Sequence, residues 1–207
     1  MAVVENGLVS VPSACAAKRI LVHVCCGPCS IMPLKSALAH SAEVCGFFHN
    51  PNIHPYAEFK KRLDAAKTLS RLISVKMIYD EAYAPTGFIK GVKARSPDKY
   101  PQYGKRCLYC YASRLEATAK AAAHNGFDAF SSSLLYSRYQ NHEKIRLIGN
   151  ALARKYKVSF YYEDFRIGWQ AGITESKSMG LYRQRYCGCV YSKMESKANG
   201  KHAKKGA

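Results

Sequence analysis

Seven of the nine cysteines stand in three tight clusters: Cys25-Cys26-Gly27-Pro28-Cys29, Cys107-Leu108-Tyr109-Cys110 and Cys187-Gly188-Cys189. Thiolate sulfur is a soft ligand, suited to zinc, copper(I) and iron–sulfur clusters. Clusters this far apart meet only in a folded chain, so they predict a metal centre, with iron–sulfur the first expectation. Cys107 and Cys110, three apart at a predicted helix start, point the same way, and the positive helix end favours their thiolates. In Cys187-Gly188-Cys189 the glycine lets the backbone bend so that two sulfurs face one centre. Cys25 and Cys26 are direct neighbours, and their side chains are expected to diverge, serving two irons of one cluster or two different metals. Seven ligands exceed the four that one cuboidal cluster accepts, so a second, mononuclear metal is expected to use the surplus, with Cys29 the natural extra ligand. A structural zinc held by four of the cysteines is the alternative. Cys15 and Cys45 have no cysteine neighbours; Cys45 lies in an apolar strand and reads as a small core residue.

The elements that must position these sulfurs follow from the periodicity. Arg19 to Val24 is a short β-rich run that leads into the first cysteine cluster. Pro28 suits a first helical turn, and Ile31, Leu34 and Leu38 recur at helical spacing. Val44 to His49 is a second strand, closed by Asn50-Pro51-Asn52. Phe59, Leu63, Ala66, Leu69 and Ile73 form the stripe of an amphipathic helix over 56–73. Val75 to Tyr79 is a third strand. Ala84 to Arg106 reads as a basic surface insertion with a short helix near Phe88. Cys107 to His124 is helical and stops at Asn125-Gly126. A strand over 127–131, a helix over 141–156 and a strand over 158–162 follow, and after Asp164 the pattern weakens.

Strands alternating with helices imply one α/β domain with a parallel, Rossmann-like (nucleotide-hydrolase-like) sheet flanked by helices. Cys25, Cys26, Asn50, Asp80, Ser131 to Ser133 and Asp164 each follow the carboxyl end of a predicted strand. In an open parallel sheet those ends share one edge, where ligands bind. The domain is expected over 18–192, between a flexible extension over 1–17 and a disordered Lys-rich tail over 193–207.

At 207 residues the chain builds one real core and is short for two. Its formal net charge of +18 predicts a polyanionic partner, nucleic acid before membrane. No apolar run reaches membrane-spanning length, and the amino end lacks the basic region and apolar core of a signal peptide. A cytoplasmic protein with reduced, metal-binding thiols is the expectation. The basic insertion (Lys90, Lys93, Arg95, Lys99, Lys105, Arg106, with Tyr100 and Tyr103 interleaved) is the expected RNA contact, since aromatics stack bases and cations meet phosphates.

Four stretches together, His23-Val24-Cys25-Cys26-Gly27-Pro28-Cys29-Ser30, Asn50-Pro51-Asn52-Ile53, Arg106-Cys107-Leu108-Tyr109-Cys110-Tyr111 and Tyr182-Arg183-Gln184-Arg185-Tyr186-Cys187-Gly188-Cys189, resemble the cobalamin-independent epoxyqueuosine reductases of the QueH type. Ser131 to Ser137, leading to His142, looks like that family too, and the resemblance spans about residues 19–192. It implies reductive removal of the epoxide oxygen of epoxyqueuosine in tRNA, giving queuosine, with a 4Fe-4S cluster and a nearby single metal. Carried over by position, Cys25, Cys26, Cys107, Cys110, Cys187 and Cys189 are metal ligands, and Cys29 stands where some relatives have aspartate. The division of these ligands between two centres stays open.

Deoxygenation of an epoxide to an alkene takes two electrons and two protons and releases water. No GxGxxG dinucleotide fingerprint appears in the sequence, so an external electron donor such as ferredoxin or flavodoxin is expected. Tyr136, Tyr139, His142 and Asp164 are the candidate proton donors, because their segments follow strand ends. Rival readings are an ATP-dependent tRNA sulfur-insertion enzyme, a heterodisulfide-reductase-like electron carrier and a zinc-stapled RNA-binding module. The first requires a Ser-Gly-Gly-type phosphate loop where Cys25-Cys26-Gly27 stands. The second fits poorly with Cys187-Gly188-Cys189 and the positive charge, and the third requires that iron be absent.

Overall fold

The computed structural model describes residues 19–96 and 104–203; the expected amino-terminal extension, and Lys99, Tyr100 and Tyr103 of the basic insertion, lie outside them. Five strands form the sheet: β1 (Arg19–His23), β2 (Glu43–Phe48), β3 (Lys76–Tyr79), β4 (Ala129–Ser132) and β5 (Ser159–Phe160). All pair in parallel, in the order β3-β2-β1-β4-β5. The order reverses between β1 and β4, so a crevice opens at their carboxyl ends, the place where such sheets bind ligands.

Among the described residues there are seven helices, α1 (Gly27–His40), α2 (Tyr56–Leu72), α3 (Pro85–Arg95), α4 (Lys105–His124), α5 (His142–Tyr156), α6 (Trp169–Ser178) and α7 (Val190–Ala203), of which α1, α2, α4 and α5 pack on the sheet. Alternation along β1 divides the core in two. Ile20 and Val22 face one side with Ile31 and Leu34 of α1 and Phe59, Leu63 and Leu69 of α2. Leu21 faces the other side with Leu115 and Ala119 of α4 and Ile145 of α5. Cys45 is buried in that second core.

Local chemistry accounts for several element ends. Pro28 sits in the first turn of α1, where its missing N–H costs nothing. Asn141 caps α5, its side-chain oxygen accepting the Lys144 amide at 3.0 Å. Gly27 lets α1 start against α2: a Cβ there would stand 2.6 Å from the Ala65 carbonyl oxygen.

Two segments differ from the sequence-based reading. The weakly patterned stretch after Asp164 forms a 3-10 turn (Phe165–Gly168) and then α6, which packs on α1. The segment expected as a disordered tail is helical as far as Ala203, with Arg106 holding both oxygens of Glu195 at 2.7 Å. Among the described residues no helix is long and apolar enough to cross a membrane.

Candidate metal centre

The first cysteine cluster lies at the turn from β1 into α1. Cys25 occupies a bend, Cys26 is the extended residue before the helix, and Cys29 lies in its first turn. The expectation that Cys25 and Cys26 diverge is not met. The bend brings their sulfurs to 3.8 Å, and those of Cys25, Cys26 and Cys29 all lie within 4.8 Å of one another. The Cys25 amide donates to Ser133 Oγ at 2.9 Å, tying this turn to the end of β4 across the crevice. Within the trio the three thiols are pushed in different directions. Thiol donation from Cys26 and Cys29 holds the Cys25 pKa well down, and the Arg114 guanidinium adds to this. Burial pushes Cys26 up, and Cys29 is raised by its sulfur neighbours before burial. Three soft sulfurs so close, one with its pKa held well down, can hold a metal ion.

The other four cysteines approach from two elements. Cys107 and Cys110 occupy the first turn and a half of α4, and Cys187 and Cys189 precede α7. Gly188 between them has φ +130°, a conformation that side chains rarely adopt. Cys110 and Cys189 pack in one buried cluster with Phe88 and Val92 of α3. Burial pushes the Cys110 thiol up to about 12, Arg114 opposes this, and the charges of Cys187 and Cys189 add to it. Cys107 likewise feels Cys189, so the CxxC and CxC pairs lie within electrostatic reach of each other.

A cavity of about 500 Å³ joins the two groups, with Cys29 and Cys187 both in its wall. Two amides bind those sulfurs: Gln184 Nε2 lies 3.0 Å from Cys29 Sγ and Gln140 Nε2 lies 3.4 Å from Cys187 Sγ. Trp169, Arg183 and Arg185 complete much of the lining. Arg138 stacks its guanidinium over the Trp169 ring at 4.7 Å.

Two arginines, each at least 98 % buried, stand behind the sulfurs. Arg62 of α2 pairs with Glu58 at 2.7 Å and donates to the Tyr186 and Cys187 carbonyls at 2.8 and 3.0 Å, which fixes the CxC segment to α2. Arg114, one helical turn after Cys110, contacts its sulfur at 3.7 Å. Asn52 is buried against Gly188, and neither its amide nitrogen nor its oxygen has a hydrogen-bond partner among the described residues. Buried cations and an orphaned amide beside clustered sulfurs are what an anionic metal–thiolate group would satisfy, so the residues present fit one.

The four candidate proton donors separate. Tyr136 and Tyr139 line the cavity. Tyr136 Oη donates to the Trp169 carbonyl at 2.8 Å, and burial, followed by the Cys29 charge, pushes its pKa up to about 12. Tyr139 is 78 % exposed at the rim. His142 and Asp164 are not in that wall. His142 is buried with Nδ1 3.9 Å from Asp164 Oδ1, and burial lowers its pKa. Arg166 holds both oxygens of Asp164 at 2.7 and 2.5 Å and keeps its pKa near 2; this carboxylate lines a separate recess with Met32 and Gly168. Of the other polar residues at strand ends, Asn50 joins the site by accepting from Arg114 at 2.7 Å, whereas Asp80 pairs with His49.

Sequence reasoning passed over Arg62, Arg114, Gln140 and Trp169. For Arg114 a signal was available in its i+4 spacing from Cys110; Trp169 offered none. Arg106, expected to meet RNA, is instead 4 % exposed and bound to Glu195.

A family model described as epoxyqueuosine reductase QueH matches residues 20–195. Among curated proteins of that name, the one from Thermotoga maritima is 38 % identical, over 89 % of this chain and 94 % of its own. That from Dehalococcoides mccartyi is 36 % identical, over 86 % and 94 %. A third, from Staphylococcus epidermidis, is 34 % identical, over 91 % and 82 %.

Proposed function

This chain belongs to the epoxyqueuosine reductase QueH family, and from that premise we propose that it removes the epoxide oxygen of epoxyqueuosine in tRNA to give queuosine, in the cytoplasm and without cobalamin. The observation that carries the reading is the cavity with one sulfur of each cysteine group in its wall. It is large enough for a single extruded nucleoside, with Trp169 as a stacking surface and Arg183 and Arg185 for the flanking phosphates.

Spacing supports dividing the sulfurs between two centres. Around one tetrahedral metal at about 2.3 Å, thiolate sulfurs stand about 3.8 Å apart. Cys25 and Cys26 have that separation and Cys29 is close by, so this trio is proposed to hold a single iron. A cuboidal cluster takes each cysteine on a different iron and spreads its sulfurs wider. The CxxC and CxC pairs, Cys107, Cys110, Cys187 and Cys189, are the proposed ligands of a 4Fe-4S cluster. When bound, these groups would supply the two electrons and a Lewis-acid site for the epoxide oxygen.

The chain's own residues orient the substrate and deliver protons. Gln140 and Gln184 hold two of the sulfurs at the cavity wall, and Trp169 with Tyr139 would position the cyclopentene epoxide against them. Tyr136, with its pKa up to about 12, keeps its proton at neutral pH and is the proposed donor inside the cavity. Tyr139, open to solvent at the rim, would relay the second proton. The pair of His142 and Asp164 is proposed to support the end of β4 from behind. Electrons come from an external one-electron carrier.

The test is anaerobic incubation of the iron-loaded protein with epoxyqueuosine-containing tRNA and a chemical reductant, read by mass spectrometry of the digested nucleosides. Queuosine formation without cobalamin or ATP is expected. Conversion that requires ATP, or none with a fully loaded centre, would overturn the reading.

A further inference from the structure

Arg114 is 2 % exposed, and no carboxylate lies within salt-bridge distance of it among the described residues. Each of its three guanidinium nitrogens nonetheless has a contact. Nε lies 3.3 Å from His23 Nε2, Nη2 donates to Asn50 Oδ1 at 2.7 Å, and Nη1 lies 3.7 Å from Cys110 Sγ. Asn50 is held in turn by donating to the Val24 carbonyl at 2.9 Å, and His23 by Ser132 at 3.0 Å. These partners are neutral apart from sulfur, so they fix where the cation sits without balancing it. Arg62 and Arg106, the other buried arginines, have carboxylates in Glu58 and Glu195.

An unbalanced guanidinium in a low-dielectric interior costs several kcal/mol unless an anion stands nearby. The groups that can carry that charge are sulfurs. Burial opposes the Arg114 charge, and Cys110, then Cys25 and Cys187, favour it, so sulfurs of both cysteine groups lie within its electrostatic reach. We propose that Arg114 is the fixed counter-charge of the metal centre, a positioning residue that holds the two cysteine groups around one buried cation and favours the reduced, more negative state. The inference rests on the reading that these cysteines hold iron. Removing the cation would make the added electron less welcome, lowering the reduction potential.

The experiment compares the full-length parent with Arg114→Met, which keeps length but no charge, and Arg114→Lys, which keeps the charge. Each is reconstituted anaerobically, its iron and sulfide are measured, and its potential is titrated by electron paramagnetic resonance. The metal-free forms are melted in reducing buffer. In Arg114→Met the reduced state should be disfavoured at least tenfold, a drop of about 59 mV for one electron. In Arg114→Lys the shift should stay within threefold. Metal-free Arg114→Met should remain folded and melt no lower than the metal-free parent, because an unbalanced charge has been removed. A folded Met variant that no longer retains iron supports the proposal equally. A loaded Met variant within threefold of the parent's potential, or one already unfolded without metal, would overturn it. A parent that takes up no iron or sulfide fails the metal reading itself, while the melting comparison still tests the buried cation.

Discussion

Cys29 is where the proposed two-centre arrangement can be taken apart. Its sulfur belongs to the trio, yet it also faces the cavity and receives Gln184 at 3.0 Å. Cys29→Ala should lose the single iron and leave the cluster's visible absorbance in place, while queuosine formation falls by about 10²-fold or more, as when a metal-bound group is withdrawn from the reaction. Iron and sulfide analysis beside the ultraviolet–visible spectrum checks this. His142 makes a prediction of a different kind. Burial lowers its pKa below the ordinary 6.5, and Arg166 adds to the shift. The unfolded chain therefore takes up this proton first as pH falls. Its contribution to stability is complete above pH 6.5 and is lost as pH drops towards the depressed folded value. Replacing His142 by Gln should flatten the acid side of a plot of melting temperature against pH, with near-normal turnover at neutral pH. A loss of turnover of about 10²-fold would restore His142 as the general acid. The gathering of Cys25, Cys26 and Cys29 was legible in the sequence, because their close spacing at a strand end puts three sulfurs in one turn. The buried arginines were not, since Arg62 and Arg114 sit in helices whose composition gives a charged residue every reason to face water.

Among the elements, α1 has the most demanding placement, because the trio is gathered at its start and it must also pack close to α2. Gly27 permits this. Gly27→Ala would press a methyl against the Ala65 carbonyl oxygen at 2.6 Å, where backbone cannot give way cheaply. The expected outcome is a loss of roughly 1–3 kcal/mol, seen as a melting temperature several degrees lower, together with weaker iron retention as the turn at Cys25 shifts. The strands and five of the helices were legible in outline, the short one near Phe88 among them, because alternation between strand and helix gives a parallel sheet whose strand ends share an edge. That argument also brought Cys25, Asn50 and Ser133 together correctly. It failed at Asp164, where the chain turns away into a 3-10 turn and its carboxylate binds Arg166. Helix α6 escaped notice because it packs through small residues. Gly172 and Ser176 are its buried positions, and a Cβ at Gly172 would meet the Tyr136 hydroxyl at 2.5 Å, so no apolar stripe announces it. The cavity wall at Trp169 escaped with it.

At the scale of the whole molecule, a net charge of +18 calls for a polyanion, and part of it is displayed on α3. That helix buries Phe88 and Val92 against Cys110 and Cys189 and exposes Lys90 and Lys93. Double replacement of those lysines by Ala should weaken tRNA binding and reduce the slope of log K against log salt by about 1.5, with iron content unchanged. Filter binding over a salt series measures it. Charge was legible from composition, but its distribution was not, since Arg106 turned inward to Glu195. The account as a whole asks one fold to gather seven sulfurs into two iron sites on either side of a nucleoside-sized cavity. The most direct measurement is a Mössbauer spectrum of protein purified without oxygen from cells grown on enriched iron, paired with sulfide and zinc analysis. The predicted result is a cluster signal with matching sulfide and a distinct thiolate-bound single iron. A colourless protein with stoichiometric zinc and no sulfide would contradict it.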